Sequence, residues 1–233
     1  MQFSQTMSQS AYVNNVIQIH RPQVYLEIGV ATGRTLFSPP FPPLSIGVDP
    51  AFSSTVPQTE QGTIMVFKMT SDEMFDKGII DETLSGRHID LAFIDGMHLC
   101  EYVMRDFINT VARCRKGSLI LIHDMFPKSI EHASRERTQD VWTGDVYRFG
   151  VALMRYNPGF PIAFIGDTAG TGMALVRVVD PTLRFAVTPE EMTQFMLSLP
   201  PQQGVPILRK HALSVKSKTH ILFLANQLKA RRV

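Results

Sequence analysis

Short apolar runs alternate with polar, glycine-bearing turns along most of the chain, the pattern of strands buried on both faces and joined by helical crossovers. The runs are Val24–Ile28, Leu44–Val48, Thr63–Phe67, Ile89–Ile94 and Leu119–Ile122. Two more, Pro161–Gly166 and Gly172–Val178, are joined by a loop short enough for an antiparallel pair. Helical spacing of Val13, Val16 and Ile17 predicts a helix over Ala11–His20 ahead of the first strand. A second helix is expected from about His98 to Arg115, with Tyr102, Phe107, Ile108 and Val111 on its core face and Arg105 and Asp106 on its solvated face. Another opens over Trp142–Arg148 with Thr143 or Asp145 near its cap, and a further one spans Thr188–Leu199 with Thr188 as its cap.

The first strand ends in a special turn. Glu27-Ile28-Gly29-Val30-Ala31-Thr32-Gly33 breaks the run with two residues that accept left-handed backbone and let a ligand approach the main chain. The spacing is G-x-x-x-G, which is not the G-x-G-x-x-G of dinucleotide sites. An acid, Asp49, ends the second run. After Thr35-Leu36 come four prolines in the seven residues 37–43, which stop any helix and force a very short crossover. Thr70-Ser71-Asp72-Glu73 reads as a helix start with Thr70 or Ser71 as N-cap. The fourth run ends in Asp95-Gly96-Met97-His98 and the fifth in His123-Asp124, so these groups fall at the carboxyl ends of neighbouring strands, where open α/β sheets bind ligands.

Composition narrows the picture only slightly. The 233 residues suffice for one α/β domain with a little left over. A net charge of +2 gives no reason to expect a nucleic-acid or membrane partner. No apolar run is long enough to span a bilayer, Met1–Ser10 lacks the features of a signal peptide, and the chain carries no internal repeat. Cys100 and Cys114, read within one helix, stand about four turns apart and cannot pair there, which points to a reducing, cytoplasmic setting. Pro200–Gly204 reads as a linker after a 1–199 domain. The remaining tail, from Val205 on, has seven Lys or Arg and no acid. An amphipathic helix over His211–Leu228 in that tail suits packing on its own domain or on a second subunit, as in a homodimer, better than membrane or nucleic acid.

The turn after strand one and the acid after strand two resemble the S-adenosylmethionine (SAM) site of the class I methyltransferases. The block from Phe93-Ile94-Asp95-Gly96-Met97-His98 to Ile122-His123-Asp124 resembles the branch with the macrolide-sugar O-methyltransferases, the family 24 type. The resemblance covers roughly residues 24–178. It implies a doubly wound, Rossmann-like sheet of seven strands in the order 3-2-1-4-5-7-6, the last strand antiparallel. It implies that Glu27, Gly29 and Gly33 hold the methionine end of SAM, that Asp49 takes the ribose hydroxyls, that Ser71 and Asp72 flank adenine, and that Asp95 also borders the cofactor. His98 would be the general base toward a hydroxyl on a small molecule or sugar, a task suited to an imidazole near neutral pH. Asp95, His123 and Asp124 match a divalent-metal set.

Two features depart from that pattern: the proline-rich stretch, and His123 where relatives carry a carboxylate. The histidine leaves three readings open: an ion other than magnesium, a lost ion, or a second proton acceptor. Glu136–Thr138 through Trp142–Val146 also resembles this branch and should border the acceptor pocket. There Trp142 reads equally as a stacking platform and as a core anchor. The rival functions are a non-catalytic module acting through its basic tail and a nucleotide-binding Rossmann oxidoreductase.

Overall fold

The computed structural model describes residues 7–166 and 171–213. Strands β1 (Val24–Ile28), β2 (Leu44–Val48), β3 (Thr63–Phe67), β4 (Ile89–Ile94) and β5 (Cys114–His123) are parallel. Strand β7 (Met173–Arg177) runs antiparallel to both β5 and β6 (Ile162–Ile165). The order is the expected one with a strand added: β8 (Ala212–Leu213) lies outside β6 and makes the sheet eight-stranded among the described residues, rather than seven.

Side chains alternate across this sheet, and each face buries its own cluster. Leu26, Ile28, Ala92, Ile94, Ile120 and Ile122 point to one face. It is covered by α2 (Ser71–Asp76), α3 (Ile79–Leu84), α4 (Cys100–Val111), α5 (Val146–Tyr156), α6 (Pro189–Ser198) and α7 (Pro201–Arg209). Tyr25, Leu91, Phe93, Leu119 and Leu121 point to the other, where α1 (Gln9–His20) packs Tyr12, Val13, Val16 and Ile17 against them. Between β1 and β2 the prolines leave turns and no helix, so Val30, Leu36 and Phe52 complete the cover on that face. No helix among the described residues is long and apolar enough to cross a membrane.

Several elements differ from their sequence expectation. Helix α4 stops at Val111, and Cys114 opens β5, a ten-residue strand bent where Gly117 takes φ +99°. The two free, buried cysteines therefore lie on a helix and on a strand. Asp106 is buried rather than solvated, because α4 is flanked by α2 as well as by the sheet. The expected linker Pro200–Gly204 is the first half of α7, with proline at its first turn. Gly204 lies against the Tyr147 ring, and Tyr147 Oη donates to the Leu199 carbonyl at 3.0 Å. The helix expected from His211 begins as β8, and its continuation lies outside the described residues.

One carboxylate knits the sheet's amino-terminal edge. Asp90, buried in β4, accepts from the Gln23 and Val24 amides at 2.8 and 3.1 Å and from Arg115 Nε at 2.7 Å. Replacing it with alanine orphans two amides at the entry of β1. Asp90→Ala should cost about 2–4 kcal/mol in urea unfolding. A midpoint equal to the parent's would mean that those amides have other partners.

Candidate active site

Strand β1 delivers Glu27 to the carboxyl edge, but inward. Tyr25 Oη donates to Glu27 Oε2 at 2.7 Å, and both side chains are buried. Burial pushes the Glu27 carboxyl up to about 8, against the Tyr25 hydrogen bond and with help from the Asp95 charge. Gly29 follows at φ +89°, and a Cβ there would sit 2.0 Å from the Asp95 carbonyl oxygen. The ends of β1 and β4 can thus meet, tied by Asp95 N–H to the Ile28 carbonyl at 2.8 Å. Gly33, at φ +82°, is covered by the Phe37 ring. Asp49 holds the turn closed: its oxygens accept from the Ala31 and Ala51 amides at 2.8 and 2.7 Å. Glycine and acid therefore have structural roles here, while the Asp49 oxygens keep further lone pairs for a ligand.

The loop after β3 opens a helix, as its sequence predicts. Thr70 is the N-cap of α2, in a reciprocal capping box with Glu73. Asp72 is gripped by Arg105 through two hydrogen bonds of 3.0 and 2.6 Å. Ser71 is hydrogen-bonded to Asp106, whose carboxyl is pushed up to about 7 by burial against that bond. Ser71 and Asp72 stay at the strand edge but are engaged from α4.

The groups after β4 and β5 converge. Asp95, His98 and Asp124 place ligand-type atoms within 4.8 Å of one another. His98 Nδ1 lies 3.1 Å from Asp124 Oδ2 and 3.0 Å from the Trp142 carbonyl, while Nε2 stands 3.5 Å from Asp95 Oδ1. His123 Nδ1 sits between the same carboxylates, 3.0 Å from Asp95 and 3.2 Å from Asp124, and its Nε2 is 3.2 Å from Thr171 Oγ1. Burial alone would lower both imidazoles. For His98 the Asp95 hydrogen bond and the charges of Asp124 and Asp95 win and push it up to about 9. For His123 the charges of Asp124 and Asp95 win and push it well above its usual value. Burial alone would raise Asp95, but the His123 charge and hydrogen bonds from both histidines hold it well below the carboxylate range. The cluster is thus a near-neutral set of two carboxylates and two imidazoliums.

Four further contacts were not legible from spacing. Gln9 Nε2 in α1 donates to Asp95 Oδ2, and Ser10 Oγ lies 3.0 Å from Thr35 Oγ1, so α1 closes one side of the site. Trp142 is neither a free platform nor a simple core anchor: its indole stacks on His98, with centroids 5.2 Å apart and planes at 15°. Asp145, fully buried, accepts from the Cys100 amide at the start of α4. A separate apolar cavity of about 210 Å³ lies by Phe107, Phe160, Phe185 and Met192, toward the other end of α4 and away from this chemistry.

Residues 48–125 match the family model described as a methyltransferase domain. No curated protein matches the chain by sequence. Among solved structures, the chain is similar to an O-methyltransferase from Bacillus cereus in complex with SAH, at 14% identity and a TM-score of 0.50 over 77% of this chain and 83% of that one. It is also similar to the O-methyltransferase TomG from Streptomyces achromogenes in complex with SAM, at 15% identity and a TM-score of 0.49 over 74% and 80%. The first of these likenesses establishes the fold, and the matched segment runs from the end of β2 through the Asp95, His98, His123 and Asp124 cluster. Fold and matched segment together make the chain similar to the SAM-dependent methyltransferases, with the methyltransferase-domain match confined to residues 48–125.

Proposed function

We propose that the protein transfers the methyl group of SAM to a hydroxyl of a small molecule, with His98 Nε2 as general base. The observation that carries this reading is the convergence of Asp95, His98 and Asp124 beside the Glu27–Gly29 turn. The two neighbours of His98 Nδ1, a carbonyl and a carboxylate, are both acceptors, so Nδ1 carries hydrogen. In the neutral ring the lone pair is then on Nε2, toward Asp95. As the acceptor oxygen bonds to the methyl carbon, the carbon–sulfur bond breaks and the sulfonium leaves as a thioether. The hydroxyl proton passes to Nε2, and Asp95 steadies the imidazolium formed. The rest of catalysis is alignment of oxygen, carbon and sulfur.

At neutral pH the free protein keeps His98 protonated, because its pKa is pushed up to about 9. Positive charge brought near Asp95 and Asp124, including the sulfonium itself, opposes that proton and readies the base. Asp95 and Asp124, with His98 or His123 beside them, also form a donor set that fits a divalent ion of the nitrogen-accepting kind. Such an ion would supply Lewis acidity toward the acceptor hydroxyl. A His98 that ligates cannot also take the proton, so His98 has one use or the other. The two free, buried thiols suit a cytoplasmic setting.

SAM and its demethylated product should bind in calorimetry, and absence of binding by both would overturn the reading. The Glu27 carboxyl, with its pKa pushed up to about 8, is protonated in the free protein at pH 7. The ammonium of SAM favours the carboxylate, so binding at pH 7 should release a proton, seen as a dependence of heat on buffer. Glu27→Gln should bind without that release. A release unchanged in the variant would remove Glu27 from the methionine end.

His98→Ala should cut product formation by about 10²–10⁴-fold across hydroxylated acceptors while SAM affinity is kept. Unimpaired turnover in that variant would remove His98 as the base.

A further inference from the structure

His98 has φ +58°, a left-handed backbone that residues other than glycine adopt only under strain. Several contacts that hold it come from one short stretch, residues 142–145. The Asp145 amide donates to the His98 carbonyl at 3.1 Å, and the Trp142 carbonyl meets Nδ1 at 3.0 Å. The indole stacks on the ring, and a Cβ on Gly144 would lie 1.8 Å from the His98 carbonyl oxygen. This stretch folds back on residues 132–134: the Thr143 amide donates to the His132 carbonyl at 3.0 Å and Trp142 Nε1 to the Ser134 carbonyl at 2.7 Å. Together the two stretches form a strap across His98.

Asp145 fastens that strap. Helix α4 begins after Leu99, which has no side chain able to cap it. The Asp145 carboxylate supplies the missing cap from across the fold, accepting from Cys100 N–H at 2.8 Å. Its other oxygen accepts from Arg135 Nη1 at 2.7 Å and Arg148 Nη1 at 2.9 Å. Arg135 reaches on to Glu101 in the first turn of α4, at 3.0 Å. Cys100, Glu101 and Asp145 resemble a metal set by composition, but both carboxylates are already taken by arginine and burial pushes the thiol well up. The cluster therefore works as a clamp.

We propose that Asp145 and Arg135 are positioning residues for His98, holding the imidazole in its strained, stacked place by clamping the strap to the start of α4. The proposal rests on the reading of His98 as the base, and its primary test does not use turnover. Trp142 is the only tryptophan in the chain and lies on the imidazole, so its emission reports the stack directly. His98→Ala gives the emission of the unstacked indole. Arg135→Gln should move the emission toward that value while far-UV dichroism stays that of the parent, and Arg135→Lys should restore part of the parent signal.

If Arg135→Gln does not fold, Glu101→Gln, which loosens Arg135 without touching the strap, is read in its place. Parent-like emission in the folded variant would overturn the proposal, since a merely structural clamp lowers the thermal midpoint and leaves the stack alone. With an acceptor in hand, kcat should fall by about 10²-fold with KM for SAM unchanged. Methyl transfer absent in the parent would sink the functional reading and leave the emission result standing. Parent-like kcat in Arg135→Gln beside a dead His98→Ala would sink the clamp alone.

Discussion

The contact that the site depends on is between two backbones. Where β1 leaves the sheet, Gly29 passes so close to the Asp95 carbonyl that no side chain fits, and the Asp95 amide bonds back to Ile28. This close approach sets the turn after β1 beside the end of β4, and it fixes where the Asp95 carboxylate stands. His98 follows three residues later. His123 and Asp124 reach the same place because β5 pairs with β4 in parallel register, Ile94 opposite Ile122. Any bulk at Gly29 would separate the glycine turn from the cluster, so one steric condition joins the two halves of the site.

Charge explains what fills the site. Two carboxylates side by side repel. Here His123 lies between them and His98 beside them, and the four groups nearly cancel. A carboxylate at position 123 would leave the same place strongly anionic and in need of a cation. The imidazole of His123 thus performs in the free protein part of the neutralisation that a metal ion performs in an all-carboxylate set, which is why an ion here would have to compete with protons.

The sheet was legible because its strands are apolar runs punctuated by turn residues. Val24–Ile28, Leu44–Val48 and Thr63–Phe67 fall on the residues expected, as does the strand order through β7 and β6. The grouping of Asp95, His98, His123 and Asp124 was legible too, since parallel strands carry their carboxyl ends to one edge. The rest depended on distant partners. Asp106 read as solvated because periodicity describes one helix and not the second one lying over it. Pro200–Gly204 read as a linker because proline and glycine are turn residues, yet proline also suits the first turn of a helix. The eighth strand is two residues long and leaves no pattern. Asp145 capping α4 was invisible: a helix that begins after Leu99 signals that a cap is missing, but not where it comes from.

The surroundings of His98 restrict how a reaction could use it. One face of the ring is covered by the Trp142 indole, and Nδ1 is committed to a carbonyl and to Asp124. That leaves the Nε2 edge, which points toward Asp95 and hence toward the glycine turn. On the proposed reading, the acceptor oxygen must enter at this edge, with the methyl donor on the side of Glu27 and Gly29. A freely rotating imidazole would offer either nitrogen and several approach directions, most of them out of line with the sulfur. The left-handed backbone and the covering indole cost conformational freedom, and what they yield is an imidazole with a single edge facing a single direction.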